Sequence, residues 1–455
     1  MTDFTIAETL HRLVKQAIDS GVAGSIAEAQ EMFARYRLTV EIDRQAATDP
    51  VQQATLLTTT ALARRVFLGG VTVQGALDVP SLSPMVPDRT LAQAVEALGG
   101  HVDASATSGG ATVVIGAQQA RREGFCVRAV ASGWRGGIVP VHFDLALAPG
   151  PAMPLAGMLA AALAVNEAFL HVNGAMSAAG RRVSGLSLWR PHSDADWLSA
   201  EPDEPALRYL PSRLWMIGLG HLGQSYLWGL GLLPYASSGD LSLVLQDVDV
   251  ITPSTESTSI LTDASLVGSK KTRTMAAWAE RRGFGTLILE RLFQADFKRQ
   301  GSEPAVALCG LDNAAGRRAL DQVGFDLVVE AGLGRGHRDF RTMRLHTLPG
   351  SRPSAEMWKA GTDDESPADQ RAYMSLLSEG ILDRCGMTLL AGKAVGAPFV
   401  GAVAGALALS EVLRLLHGGP VHQLIDIDLL SLDQRLVVPH RTDFSALNPG
   451  FMPAG

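Results

Sequence analysis

The chain has 455 residues, 47% of them hydrophobic and 19% charged, with a formal net charge of −7. This balance is typical of a folded globular protein with two or three domains, and it leaves little room for disorder. The negative charge argues against nucleic acid or an anionic membrane as the main partner.

The cysteines are few and widely spaced. Cys126, Cys309 and Cys385 form no CxxC pair, so the sequence predicts neither a disulfide framework nor a zinc site. The N-terminus lacks the apolar core of a signal peptide, and residues 154–170 and 394–413 are apolar but carry polar or acidic side chains. We therefore expect buried helices rather than membrane spans, and a cytoplasmic protein.

The first half of the chain is predicted to contain N-terminal helices, residues 1–37, and an α/β domain, residues 38–195. Its first strand, 38–42, runs into residues 43–50, which contain no glycine and cannot approach a phosphate closely. Segments of this half resemble segments of the second half: 111–119 resembles 305–313, 128–136 resembles 329–336, and 154–167 resembles 399–411. We interpret the first half as a degenerate copy of the second, although two unrelated α/β domains can also look this alike.

The second half is predicted to follow a linker, residues 196–210, and to span residues 211–455. Strands and helices alternate there, which predicts a mostly parallel, doubly wound sheet. The predicted strands are 214–217, 241–245, 287–289, 306–309 and 327–329. An insertion of about 346–393, which contains Cys385, separates the last of these strands from the final helix.

A glycine-rich turn follows the first strand of this second half. Gly218, Gly220 and Gly223 form a GxGxxG pattern between an apolar strand and a helix. Such a turn lets backbone amides at the start of a helix hold a phosphate group. By itself the pattern also fits an NAD-dependent dehydrogenase, or a turn that binds nothing.

Three further groups follow the turn in the order that activation of a carboxylate by ATP needs. Asp247 and Asp249 end the second strand, where carboxylates bind ribose hydroxyls. Lys271 begins the next helix and can reach the α-phosphate, although a solvated helix start is the bland alternative. Asp312, followed by Asn313, ends a later strand and can hold the Mg²⁺ of MgATP, or simply cap the following helix.

Cys385 is the candidate nucleophile. It follows Arg384 near a predicted helix N-terminus, and both features stabilise a thiolate. The alternative is a small buried apolar side chain, which is the commoner role of cysteine.

Together these residues resemble the ThiF/MoeB-type adenylating superfamily, which includes the ubiquitin-activating enzymes. The resemblance is strong from about Leu214 to Gly419 and rests on element order alone in the first half. It implies a nucleotide loop, ribose acids, a catalytic lysine and a magnesium aspartate at the residues above, and it places Cys385 at the family's cysteine position.

The chain departs from the family pattern in two places. Residues 254–259 read STESTS where the family has Asn and Arg-Gln, so a phosphate-binding arginine is missing and Glu256 must point away from the phosphates. The zinc-binding cysteine pairs of bacterial sulfur-carrier activators are also absent. The family's Arg-Tyr-x-Arg arginine, which acts across the dimer, is matched here by Arg35 or Arg37.

The resemblance implies two Rossmann-like adenylation domains in a pseudo-dimer, the first inactive and the second active. A compact bacterial ubiquitin-activating enzyme of an antiviral, Bil-type conjugation operon fits best. It would adenylate the C-terminal glycine of a ubiquitin-like protein with MgATP, form a thioester on Cys385, and pass the acyl group to a conjugating enzyme, as a monomer. The alternatives are adenylation of a peptide or small carboxylate without a thioester, and a catalytically weakened nucleotide-binding scaffold.

Overall fold

The computed structural model describes residues 4–103, 110–117, 124–237, 239–358, 371–378 and 382–455. The chain begins with three short helices, α1 (Ile6–Thr9), α2 (Val14–Asp19) and α3 (Ile26–Ala34). Ser25 starts α3 by accepting a hydrogen bond from the Glu28 amide, which satisfies a free N–H of the first turn. These helices form the predicted N-terminal helical segment.

The first sheet has seven strands in the order β3-β2-β1-β4-β5-β6-β7. Strands β1 to β5 are parallel, and β6 and β7 add antiparallel to one edge. The strands are β1 (Leu38–Ile42), β2 (Val71–Gly75), β3 (His101–Val102), β4 (Ala111–Ile115), β5 (Cys126–Ser132), β6 (Arg135–Pro140) and β7 (Ser184–Ser187). The helices are α4 (Pro50–Ala63), α5 (Leu91–Ala97) and α6 (Pro154–Val172).

The second sheet has the order β11-β10-β9-β12-β13-β14-β15-β16, which repeats that of the first sheet and adds one strand. Its strands are β9 (Arg213–Ile217), β10 (Ser242–Gln246), β11 (Gly285–Leu289), β12 (Val306–Cys309), β13 (Leu327–Leu333), β14 (Thr342–Leu348), β15 (His422–Asp428) and β16 (Leu436–Pro439). Its helices are α7 (His221–Leu232), α8 (Lys271–Glu280), α9 (Ala314–Arg318), α10 (Ser354–Met357), α11 (Arg371–Ser378), α12 (Arg384–Ala391) and α13 (Pro398–Leu416). The predicted fold class, two Rossmann-like halves in a pseudo-dimer, is confirmed.

The antiparallel strands β14 to β16 were not predicted from the sequence. In β14 and β15 exposed or half-buried residues interrupt the buried ones, so neither strand has the continuous apolar run of β12. Because β14 ends at Leu348, the predicted insertion 346–393 begins inside a strand. Residues 359–370 and 379–381 of that insertion lie outside the described residues.

The two halves meet through their long apolar helices. Helices α6 and α13 have 19 residues each, begin with proline, and are almost entirely buried against each other and against α4 and α7. Trp228 of α7 donates a hydrogen bond to Thr58 of α4 across this interface, at 2.9 Å. Both helices are apolar enough to span a membrane, but their burial places them in the protein core, as predicted.

The segment between the halves is packed against the first half. The Glu204 carboxylate accepts a hydrogen bond from the Trp134 amide at 2.9 Å and pairs with the buried Arg135 at 3.2 Å. The chain then forms β8 (Tyr209–Pro211), which pairs with β17 (Phe451–Pro453). The predicted linker 196–210 therefore has a fixed path.

Candidate functional site

The glycine turn lies at the carboxyl end of β9, in the middle of the second sheet. Gly218 has a φ of +85°, which favours glycine, and a Cβ there would lie 3.0 Å from the Gly310 carbonyl oxygen. A Cβ on Gly223 would lie 2.0 Å from the Gly218 oxygen. These two glycines shape the turn, whereas Gly220 meets only Lys271 Nζ, at 3.9 Å, and leaves open space.

The first turn of α7 offers free backbone amides. No side chain caps this helix at Gly220. The Leu219 amide donates to Asp247 at 2.7 Å, which fixes the turn. Uncapped amides at a helix N-terminus favour an anion, so the site fits a nucleotide phosphate.

Lys271, Asp247 and Asp249 converge beside this turn. Lys271 Nζ lies 2.8 Å from Asp249 Oδ2, and the Asp249 amide donates to Asp247 Oδ1 at 2.8 Å. The Lys271 side chain is only 13% exposed, but that of Asp249 is 62% exposed and accessible to a ligand. Asp247 is predicted to bind ribose, but one of its carboxylate oxygens already accepts the hydrogen bond from the Leu219 amide of the glycine turn.

Asp312 and Asn313 follow β12, which is adjacent to β9. Asn313 caps α9 by accepting a hydrogen bond from the Gly316 amide at 2.7 Å, so the alternative role of Asp312 as the helix cap is wrong. Asp312 is exposed and has no hydrogen bond or ion pair within the described residues. An unpaired carboxylate near a phosphate site fits a Mg²⁺ ligand, since that ion prefers oxygen donors and bridges phosphates.

His221 follows Gly220 and is the first residue of α7. Its side chain packs against the start of α13. Burial lowers its pKa to about 4. A Cβ on Gly401 of α13 would lie 2.3 Å from His221 Nε2, so the two helices meet closely here. We conclude that the ring is neutral at physiological pH and that it packs the helix start rather than binding phosphate by charge.

The turn Pro253–Ser257 overlaps residues 254–259, the segment where the sequence departs from the pattern that the resemblance implies, and it is held by the first half of the chain. Glu256 forms an ion pair with Arg64 at 2.9 Å. The Arg12 guanidinium donates to Ser254 at 3.0 Å, and its Nη1 is buried without a hydrogen-bond partner in the described residues. Arg12 thus brings a positive charge to the turn that lacks its own arginine.

Arg35 and Arg37 do not reach this turn. Both are exposed, Arg35 bonds only the Glu31 carbonyl at 3.3 Å, and neither pairs with the second half within the described residues. Sequence reasoning missed Arg12 because it lies 242 residues from Ser254 and in no motif.

Cys385 is the second residue of α12. Asp383 caps this helix by accepting a hydrogen bond from the Gly386 amide at 2.7 Å. The backbone of α12 is described, but the side chain of Cys385 lies outside the described residues. In α2, Lys15 donates to the Ala391 carbonyl at the end of α12, at 3.3 Å, and so anchors the cysteine-bearing helix.

The corresponding site of the first half is occupied by the chain's own carboxylates. Asp49 caps α4 by accepting hydrogen bonds from the Val51 and Gln52 amides, at 2.8 and 2.9 Å. Asp43 and Asp49 line a cavity of about 300 Å³ at this sheet edge. Two acids beside capped amides disfavour phosphate, which agrees with the predicted loss of the first nucleotide site.

The fold and this sheet edge define a protein with two Rossmann-like halves. Among the described residues, the first strand of the second half runs into a glycine turn, and the first strand of the first half does not. Residues 37–188 match the family described as the BilD N-terminal domain, and residues 210–419 match the BilD C-terminal domain. The bacterial E1-like protein BilD of Collimonas sp. (strain OK412) is 45% identical over 420 residues, covering 92% of this chain and 90% of that protein. The chain belongs to this family of bacterial E1-like proteins.

Solved structures of E. coli MccB are also similar. MccB with MccA-N7isoASN aligns with 13% identity and a TM-score of 0.36, over 51% of this chain and 65% of that chain. MccB alone aligns with 15% identity and a TM-score of 0.34, over 50% and 63%. Likenesses this partial carry no argument about the function of this chain.

Proposed function

We propose that the chain activates the C-terminal glycine of a ubiquitin-like protein. The substrate carboxylate attacks the α-phosphorus of ATP, the bond to pyrophosphate breaks, and an acyl adenylate forms. The Cys385 thiolate then attacks the acyl carbon, AMP leaves, and the thioester is passed to a conjugating enzyme. We propose that this activity belongs to a cytoplasmic, antiviral Bil-type conjugation system.

One observation carries this proposal. The uncapped helix start, Lys271 and the unpaired Asp312 lie at one sheet edge in the second half, whereas acids fill the matching position of the first half. Residues 38–195 are then the silent half, residues 211–455 the active half, and the insertion 346–393 carries the nucleophile.

Each residue has a defined task in this proposal. The turn amides of α7 hold phosphate oxygens, Asp249 binds ribose, and Lys271 stabilises the charge on the α-phosphate during attack. Asp312 would hold Mg²⁺, which would supply positive charge to the phosphates. Arg12, rather than Arg35 or Arg37, supplies the cation that the turn 253–257 lacks.

Pyrophosphate exchange into ATP, driven by a ubiquitin-like protein, tests the first step. Lys271→Ala and Asp312→Ala should each slow exchange by about 100-fold or more, as removal of a preorganised charge does. The control is Lys298→Ala, whose Nζ contacts only the Gln322 carbonyl on the surface. Wild-type exchange rates in both site variants would rule out the proposed site.

Loss of Cys385 tests the second step. Cys385→Ala should keep exchange and lose the adduct with the ubiquitin-like protein that reducing agents release. An adduct that survives in this variant would exclude Cys385 as the nucleophile. ATP turnover on a peptide or small carboxylate, independent of Cys385, would instead support adenylation without a thioester.

A further inference from the structure

A chain of buried polar contacts connects the silent half to the glycine turn of the active half. It begins at Arg65, which follows α4 and is 3% exposed. Its guanidinium donates to the carbonyls of Glu256, Ile260 and Thr262 at 2.9, 2.9 and 2.7 Å, all in the second half. A fourth hydrogen bond, to the carbonyl of Ala61 in α4, fixes the side chain at 2.5 Å.

The contact continues through Thr262 and Gln224, both fully buried. Thr262 Oγ1 lies 2.9 Å from Gln224 Nε2 and 3.1 Å from Gln224 Oε1. Gln224 also accepts a hydrogen bond from the Leu261 amide at 3.0 Å and donates to the Leu219 carbonyl at 3.2 Å. Leu219 is the residue between the first two glycines, and Asp247 holds its amide from the other side.

The reciprocal contact between the halves has fewer hydrogen bonds. In the first half, the loop after β2 places Met85 against Gly231 near the end of α7. Arg282 of the second half donates one hydrogen bond to the Met85 carbonyl, at 3.1 Å. Arg282 is half-buried, whereas Arg65 is buried and donates to three carbonyls of the other half.

We infer that Arg65 is a positioning residue for nucleotide binding, acting from the silent half through Thr262 and Gln224 on the glycine turn. The inference rests on the proposed function for the identity of the ligand. The guanidinium donates hydrogen bonds to three carbonyls of the other half and so fixes the backbone of residues 256–262. A lysine has one ammonium group and cannot reach all three carbonyls with the same geometry.

Two measurements on the full chain test this inference. The first is deuterium uptake by residues 218–224 without ligand, and the second is the Kd of ATP. Arg65→Met and Arg65→Lys should both accelerate deuterium uptake by residues 218–224. Both should also raise the Kd of ATP by about tenfold, as loss of one charge-assisted hydrogen bond does. In pyrophosphate exchange the KM for ATP should rise, with the KM for the protein substrate unchanged.

A matched control is Arg182→Met. Arg182 is another first-half arginine that donates to a second-half carbonyl, that of Leu430, at 2.7 Å, away from the glycine turn. It should lower stability without changing deuterium uptake at 218–224 or the KM for ATP. A purely structural role would make Arg65→Met and Arg182→Met alike in both measurements, and that result would overturn the inference.

Thr262→Val keeps the side-chain volume and removes only the hydroxyl link to Gln224. It tests the same path if Arg65→Met fails to fold. Faster deuterium uptake at 218–224 in this variant supports the connection through Thr262 and Gln224. Unchanged deuterium uptake together with an unchanged Kd of ATP contradicts it. Because deuterium uptake needs no substrate, a wild-type chain without adenylation activity would refute the proposed function and leave this test intact.

Discussion

Gly220 and Gly223 lie three residues apart in the same turn but have different surroundings. The backbone of Gly218 crowds Gly223, whereas Gly220 faces Lys271 across open space. Packing requires Gly223, whereas in the proposed function Gly220 leaves space for the ligand. The two roles are separable by adding a single methyl group at each position.

Gly223→Ala should destabilise the protein by about 1–3 kcal/mol, because the new methyl group would overlap the Gly218 carbonyl. Gly220→Ala should leave stability nearly unchanged and weaken ATP binding, since its methyl group enters the space beside Lys271. Urea unfolding and ATP titration of both variants measure the difference. The opposite ranking of stabilities would contradict these assignments.

The residues of the site that could be predicted from sequence are those within short motifs. The sequence predicts Lys271 and Asp249 from separate motifs, and in the structure the two side chains form an ion pair. Their roles stay predictions. Arg12 and Arg65 could not be predicted, since they act on residues 242 and at least 191 positions away. Pairing at such distances depends on how the two halves dock, which a single sequence does not encode in any local pattern.

Helix α2 links the nucleotide site to the cysteine-bearing insertion. Arg12, just before the helix, binds the turn 253–257, and Lys15 and Asp19 bind the insertion one and two turns later. Lys15 and Asp19 form a buried ion pair, and Tyr373 of α11 donates to Asp19 Oδ1 at 2.5 Å. Two buried hydrogen bonds of charged α2 side chains therefore attach the described parts of the insertion to this helix.

Asp19→Ala should lower the free energy of unfolding by about 3–5 kcal/mol, because it leaves the Lys15 ammonium buried without a counter-charge. Tyr373→Phe removes one hydrogen bond and should cost about 1 kcal/mol. Denaturant unfolding and proteolysis of the insertion measure both effects. The exposed pair of Arg190 and Asp194 provides the control, since Asp194→Ala should change stability by less than about 1 kcal/mol. Equal effects of Asp19→Ala and Asp194→Ala would exclude a fixed insertion.

At the scale of the whole molecule, element order was more predictable than strand direction. Three local similarities between the halves indicated a duplication, and the sheets do share one strand order. The inner parallel strands β9, β10, β12 and β13 were recognisable because most of their residues are buried and read as continuous apolar runs. The antiparallel edge of the second sheet has a mixed burial pattern, so the sequence did not predict β14 to β16.

Cleavage of the chain after Pro205 should leave the two halves associated. The interface consists of α4, α6, α7 and α13, whose buried apolar faces cannot be exposed to water without a large cost. A protease site inserted there, followed by size-exclusion chromatography under native conditions, measures the association. The fragments should elute together and separate only in denaturant, whereas separate elution of folded halves would contradict this account.

The acids that fill the first half's turn also bear on how the molecule can change over evolution. In a symmetric dimer of identical chains, every substitution appears at both sites at once. Asp49 could not then close one site without closing the other, and Arg65 could not serve one turn alone. When the two copies lie in one chain, each can be substituted independently of the other. One half can then lose its own ligand site and keep the residues that support the site of the other half.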